Sequence, residues 1–278
     1  MSEIVLHQWV MSPFCNKIRR CLEFKGLTYQ VVNYNGLRAL DAARLSPAGK
    51  LPVLDYEGER LQDSARIARF LDHKHPGKPL YPADAAALAQ ARLLEDWAGT
   101  SLYFYELYLR MLDPVALEKA LDLVCAGRPQ WERMVVKLVL RRRYPNKLAK
   151  QGLGNYPRAE VVKMLLQHVQ DLDAQLQSRP YLTGEALSIG DIAVVAQLDE
   201  MIRTSDVAER ILSFARVKAW YERCGGMNSC RSLSVDKLQL SSATSCSPPA
   251  HRAGRCGSGW RARSARRRSA GTGWRRNR

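Results

Sequence analysis

The sequence predicts an α/β unit, then an all-helical domain, then a basic tail. Three observations carry that expectation. Strand-like and helical segments alternate as far as residue 75, and every patterned segment beyond residue 84 has helical periodicity. After residue 240 the side chains that build cores all but vanish. A run of βα elements followed by a run of helices implies two packed domains.

In order, residues 4–9 read as a strand and Met11-Ser12-Pro13 as a turn. Residues 14–25 read as a helix with Phe14, Ile18, Cys21 and Leu22 on one face and Gly26 as its stop. Residues 29–33 form a second strand and 37–45 a short helix. A hairpin crosses Glu57-Gly58 between residues 53–56 and the segment around Leu61. Residues 64–75 form a helix that Pro76-Gly77 ends. Helical periodicity then marks 85–111, 115–125, 129–143, 158–177, 189–204 and 207–224. The expected domains are therefore 1–77, 84–227 and a tail, 228–278. Tyr103, Tyr105 and Tyr108 near the end of the first long helix read first as core or interface, and second as one wall of an apolar pocket.

Composition is that of a globular protein, with 46% hydrophobic and 25% charged residues in 278. No apolar run approaches the ~20 residues of a membrane span, and the start lacks a signal-peptide layout. Seven unevenly spaced cysteines suit free thiols in a reducing compartment. A cytoplasmic protein with no membrane partner is expected.

The net charge of +16 suggests nucleic acid, but its distribution does not. Beyond residue 230 stand eleven Arg and one Lys against one Asp. The basicity belongs mainly to the tail, so nucleic acid is expected to bind only there, if anywhere. Residues 241–278 contain no Ile, Val, Leu, Phe, Tyr, Met, Asp or Glu, a composition that predicts disorder. It fits a basic arm, or out-of-frame translation of a GC-rich gene.

Three segments carry candidate chemistry. In Ser12-Pro13-Phe14-Cys15 a strand ends and a helix begins, and the free N–H groups of a helix start stabilise a thiolate. Ser12 could donate its hydroxyl to such a thiolate; Cys15 could itself be a nucleophile or a mixed-disulfide partner. The plain alternative is a helix cap and a small buried hydrophobe. In Lys50-Leu51-Pro52-Val53 a proline entering a strand marks an edge or a cis turn, and a cis turn would free the Leu51 backbone to pair with an extended peptide. In Asp63-Ser64 a helix start could hold a carboxylate beside an acid suited to an ammonium group; an ordinary N-cap reads equally well.

Together, at these spacings, the three segments resemble the glutathione site of the cytosolic glutathione transferase family. The Ser-Pro-Phe turn is closest to its tau-like serine classes; omega-like classes have Cys where Ser12 stands. The resemblance implies a thioredoxin-like N-terminal domain with glutathione as co-substrate. It puts Ser12 at the glutathione sulfur, Leu51 at the cysteinyl backbone, and Asp63 and Ser64 at the γ-glutamyl end. Lys50 and Arg38 would face the glycyl carboxylate. It also implies a small apolar electrophile as second substrate, a detoxifying conjugation and a homodimer. The segment Ser188-Ile189-Gly190-Asp191 resembles the family's helix-start motif, in which Ser188 caps and Asp191 reaches back.

Residues 113–155 are longer than the family's usual link. Gly152-Leu153-Gly154-Asn155 within them resembles a motif of the metaxin-like branch, whose members often serve without demonstrated transferase activity. Two alternatives therefore stand beside the transferase: Cys15-dependent thiol-disulfide exchange or peroxide reduction, and a non-catalytic binding protein. His73 and His75 face different ways on a helix, so no metal site is expected.

Overall fold

A computed structural model describes residues 3–225. The expected tail, 228–278, with its predicted disorder, lies outside the described residues.

The N-terminal part contains strands β1 (Ile4–Gln8), β2 (Gln30–Asn33), β3 (Val53–Tyr56) and β4 (Glu59–Gln62), with helices α1 (Pro13–Phe24) and α2 (Ser64–Lys74). A 3-10 helix, Gly36–Arg44, follows β2. The sheet order is β2-β1-β3-β4; β1 and β2 run parallel, and the other pairs are antiparallel. This is the thioredoxin-like half. Its core joins Leu6 and Leu54 from the sheet to Ile18, Leu22, Ile67 and Leu71 from the two helices.

Helices α3 (Ala85–Trp97), α4 (Tyr103–Leu112), α5 (Pro114–Val124), α6 (Gln130–Gln151), α7 (Arg158–Gln175), α8 (Ile189–Thr204), α9 (Ala208–Leu212) and α10 (Ala215–Arg223) make up the rest. Helix α8 is buried along its length, and its Ile189 and Ile192 also enter the N-terminal core. The capping box forms as expected: Asp191 accepts from the Ser188 N–H at 3.0 Å, and Ser188 Oγ from the Gly190 N–H at 3.2 Å. Asp191 further accepts from Leu182 N at 2.7 Å and Trp220 Nε1 at 2.9 Å, so one carboxylate ties three segments.

The two halves meet through charge. Asp199 of α8 accepts from Asn16 at 2.8 Å and from Arg20 at 2.5 Å, and Lys17 pairs with Glu95 of α3 at 2.8 Å. All these side chains are buried, so removing one partner strands the other away from water.

Three boundaries differ from the sequence expectation. The helix expected over 85–111 contains a π-helical turn, Ala98–Leu102, where Gly99 faces the Phe14 ring. The helix expected to stop at 143 runs through Pro145, because Leu140 and Leu148, two turns apart, are both buried and hold it on either side. The helix expected over 207–224 is two, because Asp173 of α7 accepts from the amides of Arg216 and Val217 and so caps α10.

No helix among the described residues is long and apolar enough to cross a membrane.

Candidate active site

Sheet register gathers the candidate residues. Gln8 lies opposite Asn33, His7 opposite Val53, and Val53 opposite Gln62. Thus the exits of β1, β2 and β4 and the entrance of β3 share one end of the sheet. Ser12 follows β1, Arg38 follows β2, Lys50 and Leu51 precede β3, and Asp63-Ser64 follow β4. Four separate connections converge there.

Ser12 is the N-cap of α1, with extended backbone, and its Oγ accepts from the Cys15 N–H at 3.3 Å. Accepting that bond leaves the hydroxyl its own proton to donate, and the neighbouring Cys15 thiol also feels this side chain. Pro13 opens the helix, where its missing N–H costs nothing. Cys15 is the third residue of the same turn and is fully buried; burial pushes its thiol up, against weaker opposing help from Ser12.

The Leu51–Pro52 peptide is cis. Asp63 takes φ 73°, a region costly for a residue with a Cβ and typical of positions held for function. Its Oδ1 accepts from Ala65 N and Arg66 N, both at 3.0 Å, so Asp63 and not Ser64 caps α2. Ser64 is buried as the first helical residue, while Asp63 and Lys50 are exposed. The Arg38 guanidinium stands 5.8 Å from the centre of the Tyr34 ring.

Behind the Ser12 turn lies a buried group that the sequence reading missed. Arg110 of α4 donates to the Met11 carbonyl, and Arg203 of α8 donates to the Val10 carbonyl at 3.3 Å. Arg110 pairs with Glu106 at 2.9 Å and Arg203 with Glu200. Burial, outweighing Arg110, pushes the Glu106 carboxyl up to about 8. The helical half thus holds the backbone that presents Ser12. In the sequence Glu106 and Arg110 are an ordinary i,i+4 pair, so nothing there distinguishes them from a solvated one.

A second group stands in front. Phe14 packs on Tyr103 at 5.1 Å, and Tyr103 on Phe104 at 5.3 Å. Tyr103 therefore belongs to this wall, whereas Tyr105 and Tyr108 are core.

Comparison with known proteins fits this architecture. The domain model described as "Glutathione S-transferase, N-terminal domain" matches residues 6–79, and that described as "Glutathione S-transferase, C-terminal domain" matches 155–223. The two matches together cover just over half of the chain, in the order the family requires. The chain belongs to the glutathione S-transferase family. A glutathione S-transferase of Pseudomonas putida is 30% identical over 129 residues, which are 44% of this chain and 59% of that protein. A glutathione S-transferase crystal structure from Rhodospirillum rubrum superposes with a TM-score of 0.59 at 21% identity, covering 89% of this chain and 96% of that one. A glutathione S-transferase-I structure bound with lactoylglutathione gives 0.56 at 16% identity, covering 84% and 99%. These structural likenesses carry the fold. Both transferase domain matches leave residues 80–154 uncovered, and α3 to α6 lie in that span.

Proposed function

We propose that this chain is a serine-type glutathione transferase, which binds glutathione along the loop end of the sheet and holds its thiolate at Ser12. The observation that carries this reading is the convergence of Ser12, Leu51, Asp63 and Ser64 at one sheet end, with a hydroxyl that can donate at a helix N-terminus. A helix start and a hydroxyl donor both favour a bound thiolate over a thiol. Leu51 pairs with the cysteinyl backbone, Asp63 and Ser64 hold the γ-glutamyl end, and Lys50 with Arg38 faces the glycyl carboxylate. The second substrate is a small apolar electrophile approaching past Phe14 and Tyr103. The glutathione thiol gives its proton to solvent on binding, and the thiolate sulfur bonds to the electrophilic carbon; in displacement the leaving group departs with its bonding pair, and in addition the adduct takes a proton up from solvent.

Burial of Cys15 favours Ser12 over the exchange reading: a thiol pushed up and shut away from solvent is a poor nucleophile. That a related fold carries lactoylglutathione supports the same ligand class here.

Calorimetric titration with glutathione and a conjugation assay with an aryl chloride test the proposal. Ser12→Ala should cut turnover about 10²-fold, the usual loss on removing one well-placed donor to an anion. Cys15→Ser should keep most of it. Absence of glutathione binding at millimolar concentration would refute the reading. We also propose a homodimer, which light scattering at several concentrations checks.

A further inference from the structure

Helix α6 carries an apolar stripe that faces solvent. Trp131, Met134, Val135, Leu138 and Val139 recur at the spacing of one helix face, and each is 39–68% exposed. They are five of the nine large hydrophobic side chains exposed among the described residues, and the other four stand singly on other segments. Single exposed apolar residues are ordinary, whereas a contiguous patch marks a contact surface. Leu140 and Leu148 of the same helix are buried, so α6 already has an inner face and the stripe is a second one.

Charge says what covers the stripe. Helix α6 has seven Lys or Arg and one acid, Glu132, which is buried and held by Arg128 and the Leu37 N–H. The line through Trp131, Val135 and Leu138 continues at the same spacing to Arg142, with Arg141 beside it. Among the described residues no ion pair engages Arg141, Arg142, Arg143 or Lys150. A second copy of the chain would bring the same cations to this face. The chain's own sequence beyond residue 230, with eleven Arg and one Lys against one Asp, has the same sign. The complement is therefore anionic. A partner helix docks in a groove, whereas this stripe is the outermost line of a single helix. A helix with Trp and Leu on one face and arginines beside them suits the interface of an anionic bilayer. Its arginine stems can reach headgroup phosphates while the apolar side chains sink below them.

We propose that α6 docks on an anionic lipid surface, with the Trp131-to-Val139 face in the bilayer interface and Arg141 and Arg142 on lipid phosphates. The expectation of no membrane partner rested on the lack of a spanning segment, which an interfacial helix does not need. Membrane docking and glutathione binding are independent, so either can fail without the other.

The test is co-sedimentation of the full chain with vesicles of phosphatidylcholine alone and of phosphatidylcholine mixed with phosphatidylserine. Two double variants separate the contributions: Trp131→Ser with Leu138→Ser, and Arg141→Gln with Arg142→Gln. All four side chains are exposed, and circular dichroism melts check that each variant folds. Wild type should prefer the mixed vesicles. W131S/L138S should lower its partition coefficient about tenfold, the loss of two apolar side chains from the interface. R141Q/R142Q should lower it about thirtyfold at low salt, the loss of two cations at an anionic surface. Raised salt should erase the second deficit and leave the first. Equal partition of wild type and W131S/L138S would overturn the proposal, because the basic tail alone would then account for attachment. Equal binding to the two vesicle types, or none, would also overturn it. In the absence of vesicle binding, capture of an acidic amphipathic helical peptide would give the face to a protein partner. A light-scattering mass that falls in W131S/L138S would give it to a second copy.

Discussion

The loops at the sheet end and helix α6 both border the candidate site, yet they reach it by opposite means. The loops are carried there by local rules: each follows or precedes a strand by a few residues, and strand register does the rest. Helix α6 reaches it through contacts distant in sequence, Glu132 to Leu37 across 95 residues and Lys147 to Tyr103 across 44. It lies outside both family domain matches and also turns Trp131, Met134, Val135, Leu138 and Val139 to solvent. The family matches cover the loops, and α6 lies in the span that they leave uncovered.

The comparison makes substitutions in the scaffold costly and those in the α5–α6 pairing cheap. The largest expected effect is at Asp191, whose carboxylate is shared by Leu182, Ser188 and Trp220. Asp191→Ala leaves several buried donors without an acceptor, each costing about 1–3 kcal/mol. A drop in Tm of about 10 °C by calorimetry follows from that sum. A drop of only a degree or two would show that the capping box is dispensable.

Glu106 gives a smaller effect with a definite sign. The groups around it are Arg110 on its own helix and Glu200 and Arg203 from α8. Because burial holds its carboxyl up to about 8, the folded chain keeps a proton that the unfolded chain loses near pH 4.5. Its contribution is complete below that lower value and is lost as pH rises through the upper one. Glu106→Gln removes the titration, so the Tm of E106Q relative to wild type should rise between about pH 5 and about pH 9. Parallel curves would place the ionised carboxylate at ease beside Arg110 and Arg203.

The smallest effect is expected at Glu118, half-exposed and paired with Arg133 and Lys137 between α5 and α6. Glu118→Ala should leave the urea-unfolding midpoint nearly unchanged, as loss of a surface ion pair does.

How much was legible in the sequence follows the same division. The β1–α1 turn, the Lys50-to-Val53 entry, the Asp63-Ser64 helix start and the Ser188 capping box all depend on neighbours within a few residues, and each reads directly from the chain. Within Asp63-Ser64 the cap is Asp63, which reaches both free amides from a left-handed backbone that composition does not reveal. The hold of Arg110 and Arg203 on the Ser12 turn was not legible, since each acts on a partner distant in sequence. The split before α10 belongs with them, set by an Asp173 carboxylate forty-three residues away.

The central claim is that a helix start and one hydroxyl hold glutathione as its thiolate, and the ultraviolet absorbance of bound thiolate measures it directly. Titrated across pH on wild type, Ser12→Ala and Cys15→Ser, it reports the ionisation of the bound thiol. The account predicts a bound thiol well below the ordinary value of about 8.5 in wild type and in C15S, and near that value in S12A. An unshifted thiol in wild type, or a shift lost in C15S and kept in S12A, would contradict it.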